Sequence, residues 1–187
     1  MNKKKIILAS GSPRRSDMLK DSGVVFDVIP SPAEELHDLA MPLHLLCETN
    51  AGLKAEAVAL ENADCLVIGA DTLVYIDETP LGKPKSEAEA VETLKRLSGR
   101  KHQVCTGVCL AQGGELDRFH VITEVLFKEI DDEVIQRYMA KVNVMDKAGS
   151  YAVQEHGDLI VADVIGDYNN VVGMPMSVLM DKLSPFL

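Results

Sequence analysis

The apolar run Ile6-Ile7-Leu8-Ala9 is followed at once by Ser10-Gly11-Ser12-Pro13-Arg14-Arg15, then by a helical pattern through Asp17, Met18 and Leu19. This order predicts a buried strand, a tight turn and a helix. Gly11 lets the turn bend, Ser10 or Ser12 can cap the helix, and Pro13 suits a first turn where no N–H is needed. A helix start is electropositive and offers unpaired N–H donors. Arg14 and Arg15 add planar forks that match phosphate oxygens, so the turn reads as a place for an anion. The plain alternative is a capped surface helix with two solvated arginines.

Further strand signals are read at about 24–29, 65–70, 72–76, 103–111, 117–128 and 158–164, after a first at 5–9. Helical patterns are read at about 13–21, 40–61, 86–98, 131–140 and 174–183. Interleaved strands and helices predict an α/β protein with a mixed sheet. Gly113-Gly114 joins two of the strands into an antiparallel hairpin, with a loop expected to be longer than minimal. Ser86-Glu87-Ala88-Glu89 opens a helix that ends near Gly99, and Asp131-Asp132-Glu133 puts negative charge at another helix start. No repeat, low-complexity tract or linker interrupts the chain. The turn signals at Pro80-Leu81-Gly82 and Gly166-Asp167 are too short to separate domains, so residues 1–187 are expected to form one domain.

A chain of 187 residues can hold one ample core, and with aromatics at 4% that core must be aliphatic. So few aromatic platforms, with a net charge of −10, speak against stable nucleic-acid binding. An acidic chain that handles a polyphosphate must gather positive charge locally or use a bound cation. Cys47, Cys65, Cys105 and Cys109 form no C-x-x-C and sit in apolar surroundings, which predicts buried thiols in a reducing compartment. Met1-Asn2-Lys3-Lys4-Lys5 is basic, but the apolar stretch after it is too short for a signal peptide, and no stretch approaches a membrane span. The expected location is cytoplasmic.

Four other stretches could carry chemistry. In Ile68-Gly69-Ala70-Asp71-Thr72 a carboxylate interrupts strand-forming residues; it is either a turn or a functional acid that must be paired or coordinated. In Leu81-Gly82-Lys83-Pro84-Lys85 a restrained lysine can serve as a point charge for phosphate or simply face solvent. Asp146 to Gln154 is a loop whose small residues permit close approach, and Gln154 can both donate to and accept from a base edge. Glu34-Glu35 is either solvated or, if it lies near Asp71, part of an oxygen site for Mg²⁺ or Mn²⁺. Val171-Val172-Gly173-Met174-Pro175 is read as a structural turn before the terminal helix. The five histidines fall in no H-E-x-x-H, and neither G-x-x-x-x-G-K-[ST] nor G-x-S-x-G occurs.

Taken in order, Leu8 to Arg15, Glu34-Glu35, Lys54-Ala55, Ile68 to Thr72, Gly82-Lys83-Pro84, Leu97-Ser98-Gly99, Asp146 to Gly149 and Val172 to Pro175 closely resemble the Maf family of nucleotide pyrophosphatases. The resemblance implies a mixed twisted sheet flanked by helices, with two lobes around a central cleft, as in inosine triphosphate pyrophosphatases. It also implies hydrolysis of dTTP and UTP, and of modified pyrimidine nucleotides, to a monophosphate and pyrophosphate. The implied role is nucleotide-pool cleansing, with a link to cell-division arrest. By the same resemblance Asp71 is the general base and, with Glu35, a ligand for a divalent cation (Mg²⁺ or Mn²⁺). Ser10, Arg14, Arg15, Lys54 and Lys83 grip the triphosphate, while Thr72 and Gln154, with Arg14, select the base. The chain departs from the family at Ala152-Val153-Gln154-Glu155-His156, where a glycine-flanked glutamine is usual, and at Met174, where Leu is common. A homodimer is the expectation for a small enzyme. The competing reading is a nucleotide- or nucleic-acid-binding regulator of septum formation without significant turnover.

Overall fold

The computed structural model describes residues 4–38 and 40–187, so the opening Met1-Asn2-Lys3 of the basic segment lies outside the described residues. The first predicted unit forms as β1 (Ile6–Leu8), a turn, and α1 (Pro13–Asp21) with Pro13 in its first turn. Ser12 holds the N-cap position, but its side chain makes no capping bond. Next come β2 (Phe26–Val28), α2 (Leu43–Ala59), β3 (Leu66–Ile76), β4 (Thr79–Leu81) and α3 (Glu87–Leu97). The remainder is β5 (Lys101–Gln112), β6 (Glu115–Phe127), α4 (Asp132–Met139), β7 (Val161–Ile165), α5 (Tyr168–Val172) and α6 (Met176–Leu183).

The strands make one seven-stranded sheet in the order β2-β1-β3-β5-β6-β7, with β4 also on β3. β1 runs parallel to β2 and β3, whereas β3–β4 and β6–β7 are antiparallel, so the sheet is mixed as expected. Two details differ from expectation. The strand signals on either side of Asp71 belong to one unbroken strand, β3, so the Gly-Ala-Asp-Thr segment is not a turn. The β5–β6 turn is also the minimal two residues, because Gly113 and Gly114 both take positive φ (57° and 87°), as such a turn demands. The cap of α3 forms as predicted, with Ser86 Oγ accepting from Glu89 N at 3.2 Å; the acidic start of α4 adds a side-chain cap, an Asp131 oxygen accepting from Val134 N at 2.9 Å.

The chain divides into two compact units. The first holds the chain up to Thr72, Thr106–Val121 and Gly173–Leu187; the second holds Leu73–Cys105 and Ile122–Val172. In the first, strand alternation feeds two cores. Ile6, Leu8, Ile68 and Ala70 pack with Leu19 of α1 and Leu179 of α6, while Ile7, Ala9 and Val67 pack with Ala51, Ala55 and Val58 of α2. Burial on both faces is why β1 reads as a continuous apolar run rather than an alternating one. In the second unit one core gathers Val74, Leu94, Val104, Phe127, Tyr138 and Ile160. No disulfide joins Cys47, Cys65, Cys105 and Cys109, and only Cys65 is not fully buried.

Candidate active site

Gly69 lies where α2 crosses β3. A Cβ there would overlap the Ala51 carbonyl oxygen and come within 2.8 Å of Ala55 N. Gly107 of β5 plays the same part beside Cys47 and Glu48, where a Cβ would fall 2.6 Å from Glu48 N. The two glycines let the backbone of α2 rest directly on the sheet. Asn50 and Lys54, one helical turn apart on α2, are thereby brought over Asp71, two residues beyond Gly69 on the same face of β3.

Asp71 is 4% exposed. Its Oδ1 accepts from Lys54 Nζ at 2.8 Å and its Oδ2 from Asn50 Nδ2 at 3.2 Å. Lys54 Nζ also donates to Glu35 Oε1 at 2.6 Å, so one ammonium bridges two carboxylates. Asn50 Oδ1 accepts from Leu36 N at 2.8 Å and Asn50 Nδ2 donates to Leu36 O at 3.2 Å. That clamp fixes the exposed segment carrying Glu35 against α2. A buried carboxylate needs such partners, since an unpaired charge there is strongly destabilising. Asn50 escaped sequence reasoning; the available signal was a lone amide on the buried face of an otherwise apolar helix.

Thr72 follows Asp71 in an unbroken strand, so its side chain lies on the opposite face. There it meets Arg15. β1 leaves β3 after the Leu8–Ile68 pair, and Arg15 takes over the vacated edge, Nη1 donating to Ala70 O at 2.9 Å. Nη1 also donates to Ser10 Oγ at 3.1 Å, Nε to Gly173 O at 2.9 Å and Nη2 to Thr72 Oγ1 at 3.0 Å. Burial works against the charge on Arg15 and the nearby Asp71 carboxylate works for it. Arg14, by contrast, makes no side-chain hydrogen bond or ion pair among the described residues, and it is partly exposed. The adjacent arginines therefore differ in availability, one tied into the fold and the other free to meet a ligand. Ser10 Oγ, 7% exposed as a residue, further accepts from Ser12 N at 3.3 Å.

Lys83 and Gln154 belong to the second unit. Their two loops are joined there by Gly149 N donating to Gly82 O at 3.1 Å. Lys83 and Gln154 are both exposed. The Gln154 loop is held on either side. Ala152 N donates to the Tyr138 hydroxyl at 3.0 Å, and the 5% exposed Lys147 donates to Asn143 O at 2.7 Å and pairs with Asp146 at 3.0 Å and Glu155 at 3.4 Å. Burial pushes the Tyr138 phenol up to about 12.

Among the described residues, no group of three or more His, Cys, Asp or Glu is placed to hold a metal ion. Glu35 and Asp71 nevertheless suit Mg²⁺ or Mn²⁺ by the chemistry of their donors. Both are hard carboxylates already converging on one positive charge, and Mg²⁺ is usually bound through one or two carboxylates plus substrate phosphates. Among the described residues no helix is long and apolar enough to cross a membrane.

The model of the Maf-like protein family matches residues 5–186, and the chain belongs to that family. It is 49% identical over 179 residues to the dTTP/UTP pyrophosphatase of Akkermansia muciniphila, covering 96% of this chain and 95% of that protein. It is 44% identical over 192 residues to the dTTP/UTP pyrophosphatase of Bacillus cereus, covering 99% and 91%. Among solved structures it resembles the Staphylococcus aureus Ham1 protein with a TM-score of 0.59 at 16% identity, over 97% of this chain and 99% of that one. At that identity the likeness concerns the fold alone.

Proposed function

We propose that the chain is a nucleoside triphosphate pyrophosphatase that hydrolyses dTTP and UTP, and modified pyrimidine analogues, to the monophosphate and pyrophosphate, residues 1–187 acting as one catalytic domain. The observation that carries the reading is the buried Asp71 carboxylate, held at 2.8 Å by Lys54 and at 3.2 Å by Asn50, in a chain with two close relatives named for this reaction.

Hydrolysis requires a water oxygen to reach the α-phosphorus while the α–β phosphoanhydride opens and charge builds on the leaving pyrophosphate. Asp71 accepts the proton of the attacking water. Glu35 and Asp71 would hold Mg²⁺ or Mn²⁺, which supplies neutralisation of the phosphate charge and a more acidic water. Lys54, already bridging both carboxylates, orients Asp71 and presents positive charge to the phosphates. Arg14 and Ser10 bind phosphate oxygens. Arg15 anchors their turn through four donated bonds and keeps one N–H for the substrate. The roles assigned to Lys83 and Gln154 are a phosphate contact and a base contact, and the role assigned to Thr72 is to read the pyrimidine edge. The proposed setting is the cytoplasm, on free nucleotides, as a homodimer.

Incubation with dTTP and Mg²⁺ is expected to give dTMP and pyrophosphate. Release of dTDP and orthophosphate would refute the cleavage site. Turnover of a panel of nucleoside triphosphates, ordinary and modified, ranks the substrates, and its absence across the panel would leave the regulatory reading in its place.

A further inference from the structure

Lys54 Nζ donates to Glu35 Oε1 at 2.6 Å and to Asp71 Oδ1 at 2.8 Å, so one compact cation stands between the two carboxylates proposed above to hold a divalent ion. The side chains of Lys54 and Asp71 are 13% and 6% exposed, that of Glu35 46%. The place is thus closed beside Asp71 and open to solvent beside Glu35. Two cations cannot share it, because they would repel at short range and compete for the same oxygen lone pairs.

The two carboxylates do not depend on Lys54 to stay together. Asn50 Nδ2 donates to Asp71 Oδ2 and to Leu36 O, each at 3.2 Å, while Asn50 Oδ1 accepts from Leu36 N at 2.8 Å. One neutral amide therefore ties both Asp71 and the neighbour of Glu35 to α2, and none of its bonds passes through the ammonium. Lys54 is the detachable member. It is a point charge on a flexible four-carbon stem, and it has no third partner among the described residues.

We infer that Lys54 is a built-in competitor of the divalent ion. Its ammonium holds the position between Glu35 and Asp71 in the enzyme alone, and the ion takes that position as the triphosphate draws Lys54 onto its own oxygens. This rests on the reading of Glu35 and Asp71 given above and adds an order of assembly to it: metal and nucleotide enter together, rather than metal first. By linkage, whatever Lys54 takes from the affinity for the ion, the ion takes from the hold on Lys54.

The test measures Mn²⁺ binding to the full chain without nucleotide, from the electron paramagnetic resonance signal of unbound Mn²⁺, in the wild type, Lys54→Met, Lys54→Gln, and Lys54→Met combined with Glu35→Gln. The expected result is that both Lys54 variants bind Mn²⁺ about tenfold or more tighter than the wild type, within the range usual for coupling between two ligands. The added Glu35→Gln removes that gain. In the same Lys54 variants kcat/KM for dTTP falls, because the phosphates lose a contact. Metal affinity and activity thus move in opposite directions, which a merely structural lysine would not produce. Should Lys54→Met be poorly stable, the same gain is read by melting, with Mn²⁺ raising its Tm more than that of the wild type. Unchanged or weaker Mn²⁺ binding in both Lys54 variants, or a gain that survives Glu35→Gln, overturns the inference, and dTMP and pyrophosphate formed by the wild type would leave the pyrophosphatase reading intact. Tighter Mn²⁺ binding in the variants of a protein that turns over no nucleotide would bring down the functional reading and leave the exchange of Lys54 for the ion in place.

Discussion

In the first unit charged side chains turn inward beside neutral ones such as Asn50: Arg15 holds the turn after β1, and Lys54 bridges the buried Asp71 and Glu35. In the second, His102, Tyr138 and Tyr151 are buried and neutral. His102 Nε2 meets the Tyr151 hydroxyl at 2.7 Å, and Phe127 and Tyr151 stack edge-on against the ring. Burial pulls His102 down to about 4 and pushes the Tyr151 phenol up. The difference teaches how each unit accommodates buried polar groups. A buried charge is tolerated only with dedicated partners, and the first unit supplies them around one carboxylate. The second unit uses neutral hydrogen bonds and a single buried ammonium, Lys147, to hold the Lys83 and Gln154 loops in shape.

That contrast can be broken most severely at Asp71. Asp71→Asn is expected to keep the fold and nucleotide binding but to lower kcat by roughly 10²- to 10⁴-fold, the range of a general base. Steady-state kinetics beside a nucleotide titration checks it, and full activity would remove Asp71 from the mechanism. Next in size is the glycine floor that delivers Lys54 and Asn50 to the carboxylate. In Gly69→Ala the new methyl meets helix backbone rather than a flexible side-chain tip, so a loss of about 3 kcal/mol is expected, read as a melting temperature roughly 10 °C lower.

The second unit is expected to answer to acid instead. His102 stays neutral in the fold down to about pH 4, whereas its unfolded form takes up a proton near 6.5. The unfolded state therefore binds more protons between these values, and its stabilising contribution, full above pH 6.5, is lost as pH falls towards 4. The loss is on the order of 3 kcal/mol, and denaturant unfolding across that window should show a slope that His102→Phe flattens. Smallest is Lys147→Met. Its carboxylate partners Asp146 and Glu155 are substantially exposed and can be rehydrated, so the loss is about 1–2 kcal/mol, again measured by denaturant unfolding. A loss of activity there as large as that of Asp71→Asn would erase the distinction between the two units.

How much of this could be read in the chain depended on whether the cause was local. The turn after β1, Pro13 in the first turn of α1, the Ser86 cap and the acidic start of α4 are settled by neighbours in sequence, and all formed where the residues placed them. β4 was invisible because Asp77 and Glu78 adopt the two positive-φ positions of its hairpin, φ 51° and 58°, without the glycine or asparagine that normally announces them. Gly69 misled for the opposite reason. A glycine beside an aspartate looks like a turn, yet this one serves the approach of α2, which no local pattern records. Asn50 acts through a partner 21 residues away. Arg14 and Arg15 are chemically identical in sequence, and the 100° between successive helical positions gives them different neighbours.

The central claim is that Asp71 activates water for attack on the α-phosphorus. Hydrolysis of dTTP in H₂¹⁸O, with mass analysis of both products, tests it most directly. The account predicts one ¹⁸O in dTMP and none in pyrophosphate; label in the pyrophosphate would mean attack at the β-phosphorus and would contradict it.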